Sequence, residues 1–279
     1  MNFKIISVCV CILFYNALAA QKNVQLSSPD GAIVFSFSLH QNKPQYSVSY
    51  NKQLLIKNAL LQLEMEDGNP FENCTMPQEP SFLSATESYN LVVGKTSSVN
   101  QPYKKAVICL KGAGYLVNLE VKTFNDGLAF RYVFPAQAGK KTFTLLEEQM
   151  QFNFTGDPVV KALLLPNFTT SHEGIYTTAA LSSIQNDTLM DMPALFQFPN
   201  HIFMAVTEAA LLDYAGMYLT KKNGILTSQL SPLPNQERIK VKAKLPHQSP
   251  WRVLMISNRI GALIESNILT SLSPASTIK

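Results

Sequence analysis

The sequence predicts an all-β protein whose strands lie mainly antiparallel in two large packed sheets. Apolar and polar side chains alternate with a period of two along many short runs, the pattern of strands with one buried face. The clearest runs are residues 33–40, 46–50, 61–66, 119–122 and 241–245. Turn-forming sequences separate the runs: Pro29-Asp30-Gly31, Asp67-Gly68-Asn69-Pro70, Asn125-Asp126-Gly127 and Lys222-Asn223-Gly224. The 16 Phe and 10 Tyr residues suit half-buried pleated surfaces.

One short helix is predicted near the C-terminal end. Ser257-Asn258 can cap a helix that begins at Arg259. Apolar residues then follow with helical spacing at Ile260, Leu263, Ile264 and Ile268. The polar tail 273–279 has the character of a linker. Residues 72–104 contain several Pro, Ser and Asn and few alternations, so we expect looser loops there within the same domain.

Composition excludes several functional classes. The chain has 279 residues, 46% of them hydrophobic and 15% charged, which excludes an intrinsically disordered protein. The net charge is +4 and the basic residues are scattered, so no nucleic-acid partner is expected. After the N-terminus no apolar run reaches the ~18 residues of a membrane span, so none is predicted.

Residues 1–20 are predicted to be a secretory signal peptide. Lys4 supplies the positive charge, residues 5–15 form a short apolar run, and Ala17-Leu18-Ala19 is a small-residue cleavage site. Valines precede Cys9 and Cys11 where a lipoprotein signal needs a small residue, so lipidation is not supported. We expect export to the periplasm or the extracellular space.

The mature chain would retain two cysteines, Cys74 and Cys109. Two cysteines do not make a disulfide framework, and the sequence leaves open whether they form one bridge or two buried thiols. The four histidines are isolated in sequence, so a structural zinc site is not indicated.

Three segments stand out chemically. Residues 124–132 combine an Asn-Asp-Gly turn with a strand, which favours a hairpin with Arg131 in a salt bridge on the opposite face. Residues 171–176, Ser-His-Glu-Gly-Ile-Tyr, admit two interpretations, a binding loop or a decorated turn. Glu208 ends an apolar run, where a carboxylate needs a salt bridge, solvent or a bound cation.

Four motifs together resemble the N-terminal domain of glycoside hydrolase family 97. They are Ser28-Pro29-Asp30-Gly31, Asn125-Asp126-Gly127-Leu128-Ala129-Phe130-Arg131-Tyr132, Thr207-Glu208-Ala209-Ala210-Leu211 with Tyr214, and Ser249-Pro250-Trp251-Arg252. They occur in the family's order and at similar spacing. The resemblance implies that residues 21–272 form one β-super-sandwich similar to galactose mutarotase, with 273–279 as the start of a linker.

The family's catalytic residues lie in a (β/α)₈ barrel that follows this domain, and we expect no such barrel within residues 1–279. No paired catalytic carboxylates can therefore be assigned, and we expect the chain alone to be inactive. The resemblance implies a non-catalytic domain of a secreted α-glucosidase or α-galactosidase, with the barrel and an α-linked glucoside or galactoside oligosaccharide as partners.

The resemblance gives one residue a role. In related enzymes a glutamate of this domain reaches the barrel mouth and helps to bind calcium, and Glu208 matches it. Calcium takes six to eight oxygen ligands, so Glu208 would be one ligand of a site completed by the barrel.

A free-standing secreted carbohydrate-binding β-sandwich is the alternative. Exposed coplanar aromatic residues would favour it. The only tryptophan, Trp251, lies in an apolar run that favours a buried position, and this supports the first interpretation.

Overall fold

The protein is described by a computed structural model over residues 23–275. Twenty strands, two short α-helices and two 3-10 turns make up this part of the chain. The strands are β1 (Val24–Ser27), β2 (Ile33–His40), β3 (Lys43–Tyr50), β4 (Gln53–Met65), β5 (Ser81–Asn90), β6 (Ser98–Gly112), β7 (Tyr115–Phe124), β8 (Gly127–Phe134), β9 (Thr142–Phe152), β10 (Val159–Ala162), β11 (Leu164–Leu165), β12 (Thr177–Ala180), β13 (Leu189–Met190), β14 (Ala194–Phe198), β15 (Ile202–Ala209), β16 (Met217–Lys222), β17 (Ile225–Leu230), β18 (Val241–Lys244), β19 (His247–Gln248) and β20 (Trp251–Ser257). The helices are α1 (Ile260–Glu265) and α2 (Ile268–Leu272), and the 3-10 turns are Leu181–Ser183 and Pro199–His201.

The strands form two ten-stranded antiparallel sheets. Sheet A has the order β1-β2-β3-β4-β9-β17-β16-β13-β11, with β18 paired to β9. Sheet B has the order β12-β10-β14-β15-β20-β8-β7-β6-β5, with β19 paired to β8. Neighbouring strands in these paths are joined by antiparallel ladders, so the predicted all-β antiparallel architecture is confirmed.

The main core lies between the two sheets. Phe35 and Tyr46 of sheet A pack against Phe130 of sheet B, with ring centroids 6.1 and 5.3 Å from that of Phe130. All three side chains are almost fully buried. The alternation that predicts the strands, for example at Ile33, Phe35 and Phe37 of β2, directs these apolar side chains into one shared core.

A second, smaller apolar cluster covers the outer face of sheet B. Trp251 and Val253 of β20 belong to it, and Ile268 and Leu272 of α2 pack over them. Trp251 is 3% exposed, which confirms the buried position that its sequence context favours. The two helices therefore seal the part of sheet B that faces away from the main core.

Two expectations about local structure need correction. Residues 72–104 are not mainly loops, because they contain all of β5 and the first half of β6. Strand β5 is an edge strand without a buried residue, so it lacks the apolar alternation by which strands are recognised. The predicted helix is also divided at Ser266–Asn267, and this break leaves Ile264 78% exposed while Ile268 is buried.

The two cysteines of the described chain are free, and both are buried. Cys74 lies in the main core with Ile108 and Leu110, whereas Cys109 lies between those two along β6 and is not part of that core. Burial raises the pKa of Cys74 to about 12, so this thiol is held in its unreactive protonated form. The predicted signal peptide lies outside the described residues. Between residues 23 and 275 no helix is long and apolar enough to cross a membrane.

Candidate functional site

Glu208 lies near the end of β15 with its side chain between the two sheets and 14% exposed. Its Oε2 accepts a hydrogen bond from Arg252 Nη1 at 2.5 Å. The backbone N–H of Met217, at the start of β16, lies 3.3 Å from both carboxylate oxygens. The sequence leaves open a salt bridge, solvent or a bound cation for Glu208, and the structure shows a salt bridge. The small exposed part of the carboxylate faces solvent.

Arg252 holds the side chain of Glu208 in position. Its guanidinium group is fully buried and donates from Nε to Glu148 Oε1 at 2.6 Å and from Nη2 to Glu148 Oε2 at 2.8 Å. The Tyr214 hydroxyl donates to Glu148 Oε2 at 3.1 Å. Such a two-pronged pair fixes the plane of the guanidinium group, so the third donor, Nη1, has a set direction toward Glu208.

Sequence reasoning missed Glu148, and a β-bulge explains why. Phe143 and Leu145 of β9 face the core, and period two from them would place Glu147 inside and Glu148 outside. The pairing of β9 with β4 shifts register between Met65 and Glu64, opposite Leu145 and Glu147. Beyond the shift the core-facing residues are Glu148, Met150 and Phe152. The one available signal was the adjacent pair of glutamates in an apolar strand.

The buried cluster carries an excess of carboxylate groups. Glu148 and Glu208 share one guanidinium group, so the ionised cluster has a net charge of −1. Burial raises the pKa of Glu208 above its ordinary value, although Arg252 acts in the opposite direction. Burial alone would lower the pKa of Arg252, but Glu148 and then Glu208 outweigh it and hold the guanidinium group charged. The surplus negative charge lies at the partly exposed end of the cluster, on Glu208.

The residues present do not form a calcium site by themselves. Within residues 23–275 no group of three or more Asp, Glu, His or Cys side chains is arranged to hold a metal ion. Glu208 offers one carboxylate, and Arg252 already occupies one of its oxygens. Calcium needs several further oxygen ligands, which this part of the chain does not supply.

A second polar cluster lies beside the first. The sequence singled out its segment 171–176 but not the partners of His172, because Asp191 and Tyr218 are far from it in sequence. His172 Nδ1 lies 2.8 Å from Asp191 Oδ2, and His172 Nε2 lies 3.4 Å from the hydroxyl of Tyr218. Burial raises the pKa of Tyr218, and the negative charges of Asp191 and Glu208 raise it further. Tyr218 is thus within electrostatic reach of both carboxylates and links the segment 171–176 to the end of the sandwich that carries Glu208.

The four sequence motifs meet in the folded chain. The N–H of Asp30 donates to Asn125 Oδ1 at 3.0 Å and thereby joins the first motif to the second. Tyr132 and Ser249 exchange hydrogen bonds of 2.9 Å to the Ser249 hydroxyl and 2.8 Å to the Tyr132 carbonyl. The third and fourth motifs meet through the pair of Glu208 and Arg252. The first two contacts hold the motifs together in the fold, and the pair of Glu208 and Arg252 forms the candidate site.

The predicted salt bridge of Arg131 is confirmed. Arg131 Nη2 lies 2.8 Å from Glu120 Oε2 on the neighbouring strand β7, and the guanidinium carbon lies 4.4 Å from the centre of the Trp251 ring. Its role is structural, on the outer face of sheet B.

The chain is similar in sequence and fold to parts of glycoside hydrolases. The chain is 25% identical over 292 residues to a retaining alpha-galactosidase of Bacteroides thetaiotaomicron, a match covering 95% of this chain and 43% of that protein. Two solved structures of a glycoside hydrolase family 97 enzyme from Pseudoalteromonas sp. strain K8, one with panose and one with acarbose, superpose with TM-scores of 0.84 and 0.83. Each is 24% identical and covers 91% of this chain and 38% of that enzyme.

The chain thus spans less than half the length of the relatives it matches. The sequence profile described as "Glycosyl-hydrolase 97 N-terminal" matches residues 26–274, nearly the whole of the described chain. The fold, the four motifs and this match agree, and the chain belongs to the N-terminal domain family of glycoside hydrolase 97.

Proposed function

We propose that this chain is the non-catalytic N-terminal domain of a secreted family 97 glycosidase. It packs on a (β/α)₈ barrel and contributes Glu208 to a calcium and carbohydrate site that the barrel completes. Export to the periplasm or the extracellular space by the predicted signal peptide at residues 1–20 is part of this proposal.

The observation that carries the proposal is the Glu208–Arg252–Glu148 cluster. Burying the bidentate pair of Arg252 and Glu148 costs free energy, and this pair orients the side chain of Glu208. The cluster of three residues has a net charge of −1, and its partly exposed carboxylate is that of Glu208. A divalent cation beside Glu208 would more than offset that charge, so acidic ligands from the barrel would complete the site.

The substrate class follows from the relatives. The Bacteroides thetaiotaomicron protein is a retaining alpha-galactosidase, and the Pseudoalteromonas enzyme is found with panose and acarbose. We propose an α-linked glucoside or galactoside oligosaccharide as the substrate of the complete enzyme.

The test joins this chain to the catalytic part of the Bacteroides thetaiotaomicron relative and compares the fusion with its Glu208→Gln variant. Calcium affinity by calorimetry and glycosidase turnover are both expected to fall in the variant. The control is Glu66→Gln, which replaces an exposed glutamate of the β4–β5 connection and should change neither. Unchanged affinity and turnover in Glu208→Gln would show that Glu208 is only an ion-pair partner of Arg252.

The alternative function is a free-standing secreted carbohydrate-binding sandwich. Exposed aromatic residues favour it, and Phe82 and Tyr176 are each 59% exposed. Phe82 lies on the edge strand β5 and Tyr176 before β12, at opposite edges of sheet B, so they do not form one coplanar platform. The buried Trp251 cannot stack on a sugar.

A further inference from the structure

The segment 166–176, between β11 and β12, is a firmly anchored loop with an exposed apolar tip. Phe168 packs edge-on against Tyr218, with ring centroids 5.1 Å apart. Asn167 Oδ1 accepts hydrogen bonds from the N–H and the hydroxyl of Thr169 at 2.9 and 3.0 Å. His172 is held by Asp191 and Tyr218, as described above. The loop is therefore fixed in place by one strand, through Tyr218 of β16, and by one connection, through Asp191 between β13 and β14.

The tip of this loop exposes two large side chains to solvent. Ile175 is 94% exposed and Tyr176 is 59% exposed. Gly174 lies directly before them, and a Cβ at this position would lie 3.0 Å from Leu163 Cδ1, so a larger residue would require that side chain to shift. Apolar side chains displayed on a rigid loop, with carboxylates and an imidazole nearby, are typical of a ligand site rather than of a solvated turn.

The register of sheet B places this tip beyond the same end of the sheet as Glu208. Thr178 of β12 pairs with Lys161 of β10, which pairs with Leu195 of β14. Leu195 in turn pairs with Ala205 of β15. Because the strands are antiparallel, Tyr176 and Glu208 both lie beyond this row on the same side.

Three strand spacings separate the two positions, on the order of 14 Å. That span matches a short oligosaccharide rather than a single sugar ring. An exposed tyrosine ring can stack on the apolar face of a hexose, while Asp191, His172 and Glu173 supply polar groups for hydroxyls.

We propose that loop 166–176 is a binding platform for the distal units of an α-linked hexose oligosaccharide, with Tyr176 as its stacking residue. This inference rests on the proposed function, because it takes the Glu208 end of the sandwich as the place where the other end of the substrate lies. The complete enzyme would then favour oligosaccharides over disaccharides.

The test titrates the chain itself with maltotetraose and, separately, with the galactose-terminated tetrasaccharide stachyose, and measures binding by NMR. Binding of either sugar is expected and identifies the hexose. Tyr176→Ala should weaken that binding about tenfold, the usual loss for an aromatic anchor. Phe82→Ala is a closely matched control, since it removes a second aromatic ring of the same 59% exposure, and it should bind as the wild type does.

A second variant tests the anchoring. His172→Ala should also weaken binding, because it removes the contact of the loop with Asp191 and one of its two contacts with Tyr218. The proposal is overturned if neither sugar binds, if Tyr176→Ala binds like the wild type, or if Phe82→Ala loses as much. Calcium affinity of the Glu208→Gln fusion is a separate readout, so a failure of the proposed function can be told apart from a failure of this platform.

Discussion

Arg252 holds the buried charges of the interior together. Its guanidinium group is fully buried and is the charge partner of two carboxylates, Glu148 and Glu208. Replacing it by Met keeps much of the volume but leaves both carboxylates without a counter-ion in a dry environment. Arg252→Met should lower the free energy of unfolding by about 3–5 kcal/mol, the usual cost of breaking a buried pair.

Urea unfolding of the two proteins measures this difference. Arg259→Met is the control, because Arg259 and its partner Glu265 are 68% and 65% exposed. An exposed ion pair contributes at most about 1 kcal/mol, so the control should unfold almost like the wild type. Equal losses in the two variants would contradict the role assigned to Arg252.

Glu147 makes the stability of the protein depend on pH. Burial raises its pKa above the ordinary value of 4.5, although the backbone N–H of Leu230 and the charge of Lys240 act in the opposite direction. The folded protein thus binds this proton more tightly than the unfolded chain does. The stabilisation is complete below pH 4.5 and is lost as the pH rises through the folded pKa.

Glu147→Gln should remove this loss of stability above pH 4.5. The glutamine Oε1 can still accept the hydrogen bonds that Glu147 Oε1 accepts from Glu148 N and Leu230 N at 3.2 and 3.0 Å. The measurement is the free energy of unfolding at several pH values from 4 upward. Parallel curves for the variant and the wild type would contradict this assignment.

At the scale of elements, the close approach of β8 and β20 explains why the second motif contains a glycine, Gly127. Gly127 pairs with Met255 of β20, and a Cβ at this position would lie 2.5 Å from the Leu254 carbonyl oxygen and 3.1 Å from Ile268 Cδ1. The close approach lets β8, β20 and α2 meet at one point. The motif glycine is therefore a packing requirement.

Gly127→Ala should destabilise the protein by about 1–3 kcal/mol, the range for an overpacked core. Gly261→Ala is the matched control. Gly261 lies in α1 with nothing within 4 Å of an added Cβ, and alanine is the better helix former, so this variant should be as stable as the wild type or more so. Thermal unfolding of both variants is the measurement, and a loss in Gly261→Ala alone would refute the packing argument.

The bulge in β9 is the other element on which the site depends. It turns Glu148 inward, so that Arg252 on sheet B gains a partner from sheet A. The ion pair thereby joins the two sheets at the end of the sandwich that carries Glu208.

At the scale of the whole molecule, the chain alone should not hydrolyse glycosides. Glu148 and Glu208 are both engaged by one guanidinium group, and neither is free to act as an acid or a base on a substrate. Purified chain is expected to show no release of p-nitrophenol from p-nitrophenyl α-glucoside or α-galactoside.

Calcium should likewise raise the melting temperature of the chain very little, because one carboxylate binds the ion too weakly to shift unfolding. Turnover that survives removal of host enzymes, or a large calcium-dependent increase in melting temperature, would overturn both expectations.

The sequence by itself determined the fold class, because period-two alternation and turn chemistry are local properties. It also identified Glu208, Tyr214 and Arg252 as members of motifs, and the structure brings these three together. The tertiary structure alone decided three further features: the inward turn of Glu148, the division of the helix at Ser266–Asn267 and the pairing of His172 with Asp191. The orientation of Glu148 and the pairing of His172 depend on register or contact between segments distant in the chain, which the residues of any one segment do not encode.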